Sequence, residues 1–203
     1  MIDRRRWGIT IGQMLQARIA AGDVAPRVRP MPAPGPHASD EEIARAEHRL
    51  GFELDPQHAA LLREIDGWGD VFGNGDLLTT ADLGAGPRWS AAQQLLDVMY
   101  EDGPFESFPP RDAVYPFHVS DLDVFVIWRG GPATDQGCPV YWLHGEVVDT
   151  WSNVFGYCLA TIARNQISID EVRDPAAERT ARRPAARIQD GRVVRGTWDG
   201  RPE

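Results

Sequence analysis

Apolar side chains recur at helical spacing in two short runs between residues 39 and 65. In the first, Ile43, Ala46 and Leu50 share a face, and Ser39 with Glu42 makes a capping box ahead of them. Asp40 and Glu41 stand at the positive end of that helix dipole, and Gly51 occupies the position of a left-handed cap. In the second, Leu61, Leu62 and Ile65 supply the apolar face. Asp55 caps this run, Pro56 takes the first helical position, and Gly67 ends it. An earlier run, 10–21, places Ile11, Met14, Leu15 and Ile19 on one face, with Thr10 and Gln13 as its capping pair and Gly22-Asp23 as its stop.

Beyond residue 67 the pattern shifts to strands. "DVFGNGDLLTT" (70–80) predicts two short strands around Asn74-Gly75, a strong hairpin dipeptide. Ser90 with Gln93 opens a further helix on which Ala92, Leu96, Met99 and Tyr100 align. "AVYPFHVS" (113–120) predicts a strand whose Pro116 belongs at an edge or a bulge, and the apolar run "VFVIW" (124–128) predicts a central strand. "PVYWLHGEVVDTW" (139–151) reads as two strands joined at His144-Gly145. Ser152 then caps a last helix, with Val154, Phe155, Cys158, Leu159 and Ile162 on its buried side. The order predicts an α+β fold: an antiparallel or mixed sheet of about four to six strands, with an N-terminal helix pair and a C-terminal helix packed on it.

Breaks in the pattern divide the chain. "APRVRPMPAPGPHA" (25–38) holds five prolines and a glycine, a semi-rigid linker behind an N-terminal helical extension (1–24) that either docks on the body or hangs free. The α+β domain runs over 39–166. Residues 167–203 form an Arg- and Pro-rich tail in which "RVVRGTW" can dock as an added strand.

Charge follows the same division. The chain of 203 residues carries a formal charge of −9, distributed as +4 over 1–38, −16 over 39–172 and +3 over 173–203. An acidic body disfavours nucleic acid as its ligand, since phosphate binding needs a positive face. The acidity either aids solubility alone or selects a basic partner. All 21 basic residues are Arg, so chemistry that needs a lysine amine is excluded. No apolar run approaches the roughly 20 residues that span a bilayer, and the start "MIDRRRW" is not followed by an unbroken apolar stretch, so neither membrane insertion nor secretion is expected. Two cysteines, Cys138 and Cys158, make neither a disulfide framework nor a metal knuckle, and a reducing cytoplasm is the expected compartment.

Nothing in the sequence carries an enzyme signature. His37, His48, His58, His118 and His144 lack metal-ligand spacing, no G-x-S-x-G occurs, and the glycines of "FGNGD" lack a dinucleotide-loop context. Neither a catalytic residue, a metal nor a cofactor is therefore expected. Asp121 and Asp123 flank Leu122 ahead of the central strand, where they serve either as a functional pair or as turn residues bonded to the backbone. Aromatics beside acids recur in the predicted loops: Trp68 with Asp66 and Asp70, Trp89, and Phe105 and Phe108 with Glu101, Asp102 and Glu106. Such rings either seal the core edges or anchor a protein partner, and the acids would select a basic one. Asp66, Trp68, Asp70, Trp89, Glu101, Asp102, Phe105, Glu106, Asp121 and Asp123 are thus the candidate partner-binding residues.

"SDEEIARAEHRLGFELDPQHAALLREIDGWGD" (39–70) resembles the opening motif of the SUKH superfamily of Smi/Knr-like proteins: a capped acidic helix, a Leu-Gly turn, an apolar-Leu-x-Pro step, a second helix and a polar-Gly ending. "VYPFHV", "VFVIW", "CPVYWLHGEVVDTW" and "SNVFGYCLATI" follow in the matching order, so the resemblance spans 39–166. Leu122 stands where relatives commonly carry glycine, 81–112 is an insertion, and both termini are additions. The resemblance implies an α+β fold with an antiparallel sheet and no enzymatic activity. It also implies a protein partner. Bacterial members look like immunity proteins that neutralise polymorphic toxins, many of them nucleases, and fungal relatives regulate cell-wall synthesis. The expectation is an immunity protein that occludes a basic toxin domain, with an intracellular regulatory module as the alternative.

Overall fold

The computed structural model describes residues 3–24, 32–72, 75–101, 107–131, 137–173, 184–189 and 192–197. Its elements are α1 (Arg4–Val24), α2 (Asp40–Leu50), α3 (Pro56–Glu64), β1 (Trp68–Phe72), β2 (Gly75–Leu77), α4 (Gly86–Glu101), a 3₁₀ turn (Arg111–Ala113), β3 (Val114–Val119), β4 (Val124–Trp128), β5 (Val140–Leu143), β6 (Val147–Trp151), α5 (Val154–Arg173), β7 (Pro184–Gln189) and β8 (Arg192–Thr197). Strands β1 to β6 lie in chain order in one sheet, and every neighbouring pair is antiparallel. The fold is α+β, as the pattern predicts, with α4 inserted between β2 and β3. "RVVRGTW" does not extend that sheet; β8 pairs with β7 in a separate ladder.

The helix pair forms as its caps dictate. Ser39 and Glu42 make the full reciprocal capping box, and Gly51 ends α2 at φ +76°. Asp55 does more than cap α3. Its Oδ1 accepts from the Gln57 and His58 amides, at 2.9 and 3.1 Å, and its Oδ2 accepts from the Cys138 amide at 2.7 Å. One buried carboxylate thus ties a helix start to the chain entering β5.

Both faces of the sheet are covered. On one, Phe125 stacks on Trp142 (5.2 Å) and meets Tyr157 of α5 edge-on. The alternating residues Val126 and Tyr141, which oppose each other across β4 and β5, are also buried and face the layer of α4, which packs on β3 and β4. Pro116 sits inside the sheet, at a register shift in the β3–β4 ladder. β2 is too short to pair with it, so its missing N–H breaks no ladder bond. The bulge also sets Phe117 and His118 both against Tyr157.

Three helix starts differ from the expected ones. α1 begins at Arg4, not near Thr10, because the Asp3 carboxylate accepts from the Arg6 amide and starts the helix six residues earlier. Its buried seam is Trp7, Thr10, Met14, Arg18 and Ala21, while Ile19 is exposed; a seam containing Thr and Arg hides from a search for apolar spacing. α1 docks, and does not hang free: Trp7 and Met14 join the core, and Trp7 meets Phe155 edge-on at 5.1 Å. α4 begins at Gly86, and Ser90 lies within it, its hydroxyl donating back to the Gly86 carbonyl. α5 takes Asn153 as its cap, not Ser152, since the Asn153 carboxamide oxygen accepts from the Gly156 amide. It continues to Arg173 with Ile169 buried, past the expected boundary at 166, and Leu159 faces outward.

Candidate functional site

"DGWGD" (66–70) turns inward. Trp68 is only 2% exposed and its Nε1 donates to the Pro32 carbonyl at 3.1 Å. The Asp66 carboxylate accepts from the Thr80 amide and hydroxyl at 2.5 and 2.8 Å, and the Asp66 amide donates to the Pro36 carbonyl. Gly35 donates its amide to the Gly67 carbonyl, and a Cβ on Gly35 would collide with the Asp66 backbone. Asp70 adopts φ +54°; its carbonyl accepts from Arg18 Nε at 2.7 Å and its Oδ2 lies 3.0 Å from Arg18 Nη2. These residues grip the linker and α1. Trp68 is therefore no partner anchor, because its ring is sealed in the core, and Asp66 and Asp70 have internal work.

The remaining candidates separate. Trp89 is half-buried against the core on α4, and Glu101 is exposed at the far end of that helix. Phe108 is buried beside Tyr100, with ring centroids 5.2 Å apart, so it seals the core edge. Asp102, Phe105 and Glu106 lie outside the described residues.

Asp121 and Asp123 stay at the surface, on the β3–β4 turn. The Ser120 hydroxyl donates to Asp123 Oδ2 (2.9 Å) and accepts from the Asp123 amide (3.0 Å), which makes a rigid turn. Asp123 Oδ1 also accepts from Trp142 Nε1 at 2.7 Å and meets His144 Nδ1 at 2.9 Å. The turn's side-chain bonds to the backbone come from Ser120, whose hydroxyl accepts from the Asp123 amide, while the Asp123 carboxylate bonds only to side chains and so joins neighbouring strands. Because β4 pairs antiparallel with β5, the β5–β6 turn lies beside it at the same end of the sheet. That turn brings His144, half exposed, and Glu146, exposed. Leu122 projects between the acids at 63% exposure. Behind them Arg164 of α5 lies over the Trp142 ring at 4.8 Å and pairs with Asp149 at 2.7 Å.

Trp142, His144 and Glu146 escape the acid-beside-aromatic search because they come from a different turn. The signal was present in the meander itself: hairpins in chain order bring alternate turns to one end of the sheet.

The acids differ in their pairing. Asp40 pairs with Arg63, Asp97 with Arg111, Asp76 with Arg88 and Asp149 with Arg164. Among the described residues neither Asp121 nor Glu146 makes an ion pair, and together with Asp123 they leave this end of the sheet negative.

Burial holds the interior histidines and the cysteines neutral. Burial pushes His58 down to about 3 and His118 down to about 4, the latter partly offset by the nearby Asp76 and Asp123 carboxylates. The Tyr115 hydroxyl, which accepts from the Asp55 amide, can donate to His58 Nδ1 at 3.2 Å; Tyr157 pairs with His118 Nδ1 at 2.9 Å. Both cysteines are free, and burial raises Cys138 to about 11 and Cys158 to about 12, far from a reactive thiolate. Among the described residues no group of three or more His, Cys, Asp or Glu side chains is placed to hold a metal ion, and no helix is long and apolar enough to cross a membrane.

No protein-family model matches the chain, and neither does any curated protein.

Proposed function

We propose that the chain is a non-enzymatic, cytoplasmic protein-binding module, and that it acts as an immunity protein neutralising a cognate bacterial toxin. The partner in this reading is a basic, nuclease-type effector domain whose cleft the acidic surface covers, carboxylates standing in for substrate phosphates. One observation carries the reading. Asp121 and Glu146 stand exposed and without an ion pair among the described residues, on neighbouring turns at one end of the sheet, and Asp123 ties those turns together through Ser120, Trp142 and His144. Turns tied together in this way present charge with little backbone to order on binding. The likeness to SUKH proteins in element order supports the same reading.

This reading requires a toxin domain encoded beside this gene, and the direct test is co-expression with it. Restored growth is expected, with loss of rescue when Asp121 and Glu146 are both changed to Arg. If the wild-type chain recovers a host protein from its own cells and gives no rescue, the regulatory reading replaces this one.

A further inference from the structure

The carboxylates of the β1–β2 hairpin join two helices that never touch the same face of the sheet. α1 packs along α5 on one face, and α4 covers β3 and β4 on the other. Around the β1 edge runs a continuous polar chain. Arg18 Nε donates to the Asp70 carbonyl at 2.7 Å, and its Nη2 lies 3.0 Å from Asp70 Oδ2, an ion-pair contact off the line of a hydrogen bond. The Asp70 amide donates to Asp76 Oδ1 at 2.7 Å. Asp76 Oδ2 accepts from Arg88 Nε of α4 at 2.9 Å, and Arg88 Nη1 stands 3.7 Å from Asp82.

We propose that this Arg18–Asp70–Asp76–Arg88 relay couples the docking of α1 to the stability of α4, so that whatever loosens or stabilises one helix shifts the other. The link between them is backbone, not only charge. Asp70 is the one described non-glycine residue with positive φ, and the β1–β2 register shifts around it, between Trp68 and Phe72. In that conformation its amide and carbonyl bond to side chains from opposite sides, Asp76 and Arg18. A left-handed Asp persists where its surroundings hold it. Arg18 is 4% exposed, so its charge stays in the fold only while Asp70 faces it. When α1 leaves, Arg18 goes to water with it, the Asp70 carbonyl and Oδ2 lose their contacts to Arg18, and the left-handed geometry that aims the Asp70 amide at Asp76 loses one of its supports. Arg88 then has Asp82 as its remaining acid. In this proposal the element has two arrangements, with Arg18 docked or released, which is what coupling between distant sites requires. By linkage the effect is reciprocal: freeing Arg88 loosens α1 as well.

The test is hydrogen exchange on the full chain, followed in peptides covering α1 and Ser90–Glu101. Arg18→Met should speed exchange about tenfold or more in both helices. Arg88→Met removes a half-exposed side chain, so it keeps the test open if Arg18→Met does not fold. It should speed exchange in α1, and the double variant should do less than the product of the singles. Arg111→Met breaks the α4 pair with Asp97, outside the relay, and should leave α1 unchanged. Unchanged exchange in α1 for Arg88→Met overturns the coupling. So does an equal response to Arg111→Met, which would show that α4 acts on α1 by some other route.

Discussion

His118 and His58 show what a single buried side chain sets for this protein. Each ring is almost fully buried, each pairs with a tyrosine, and each is held neutral far below the usual range for histidine. In the unfolded chain both take up a proton near pH 6.5. Because the folded values are depressed, stability is complete above pH 6.5 and falls as the pH drops from there toward 4 and then 3. At pH 5 the loss is on the order of 2 kcal/mol per histidine. Urea unfolding at pH 7.5 and pH 5 should therefore differ by about 4 kcal/mol, and His118→Phe should roughly halve the difference. Equal stabilities at the two values would mean that neither ring is buried neutral. The residue scale is also where sequence reading failed most clearly. Asp66, Trp68 and Asp70 look like a displayed surface, since an acid beside an aromatic has the same composition whether it faces water or grips Pro32, Pro36 and Arg18. Only the long-range partner decides, and those partners lie more than 25 residues away.

The elements were far more legible, because caps and turns are local chemistry. Ser39, Gly51, Asp55, Pro56 and the His144-Gly145 dipeptide mark boundaries that need no tertiary context, while Asn74 of the other expected turn lies outside the described residues. Asp3 and Asn153 are equally local caps. Thr10 and Ser152 fit the same rule in sequence, and the cap bonds to the Arg6 and Gly156 amides distinguish Asp3 and Asn153 from them. Asp55 is the element-scale residue on which most depends. Asp55→Ala would leave the Gln57, His58 and Cys138 amides without their acceptor in a buried setting, and should destabilise the protein by about 3–5 kcal/mol. Asp55→Asn keeps one acceptor oxygen, and should cost about 1–2 kcal/mol. Chemical denaturation of the two variants checks this; a loss below 1 kcal/mol for Asp55→Ala would mean that the carboxylate does not join α3 to the β5 approach.

At the scale of the molecule, sequence reading foresaw the antiparallel α+β architecture and the acidic body, but not which acids would face outward together. Charge by segment counts carboxylates without sorting paired from unpaired. The meander sorts them, by bringing the Asp121–Asp123 and His144–Glu146 turns to one end. A basic partner steered to that end should associate more slowly with an Asp121→Arg, Glu146→Arg variant, by about tenfold at low salt. The same variant should unfold within about 0.5 kcal/mol of wild type, since both side chains are exposed.

The proposed acidic protein-binding surface is tested most directly by the affinity for the basic toxin domain that the proposal requires, measured by calorimetry from about 50 to 300 mM salt. Tight binding that weakens steeply with salt, and a double Arg variant that is both weaker and less salt-sensitive, is the predicted result. Binding that ignores salt, or that the double variant keeps at full strength, would contradict it.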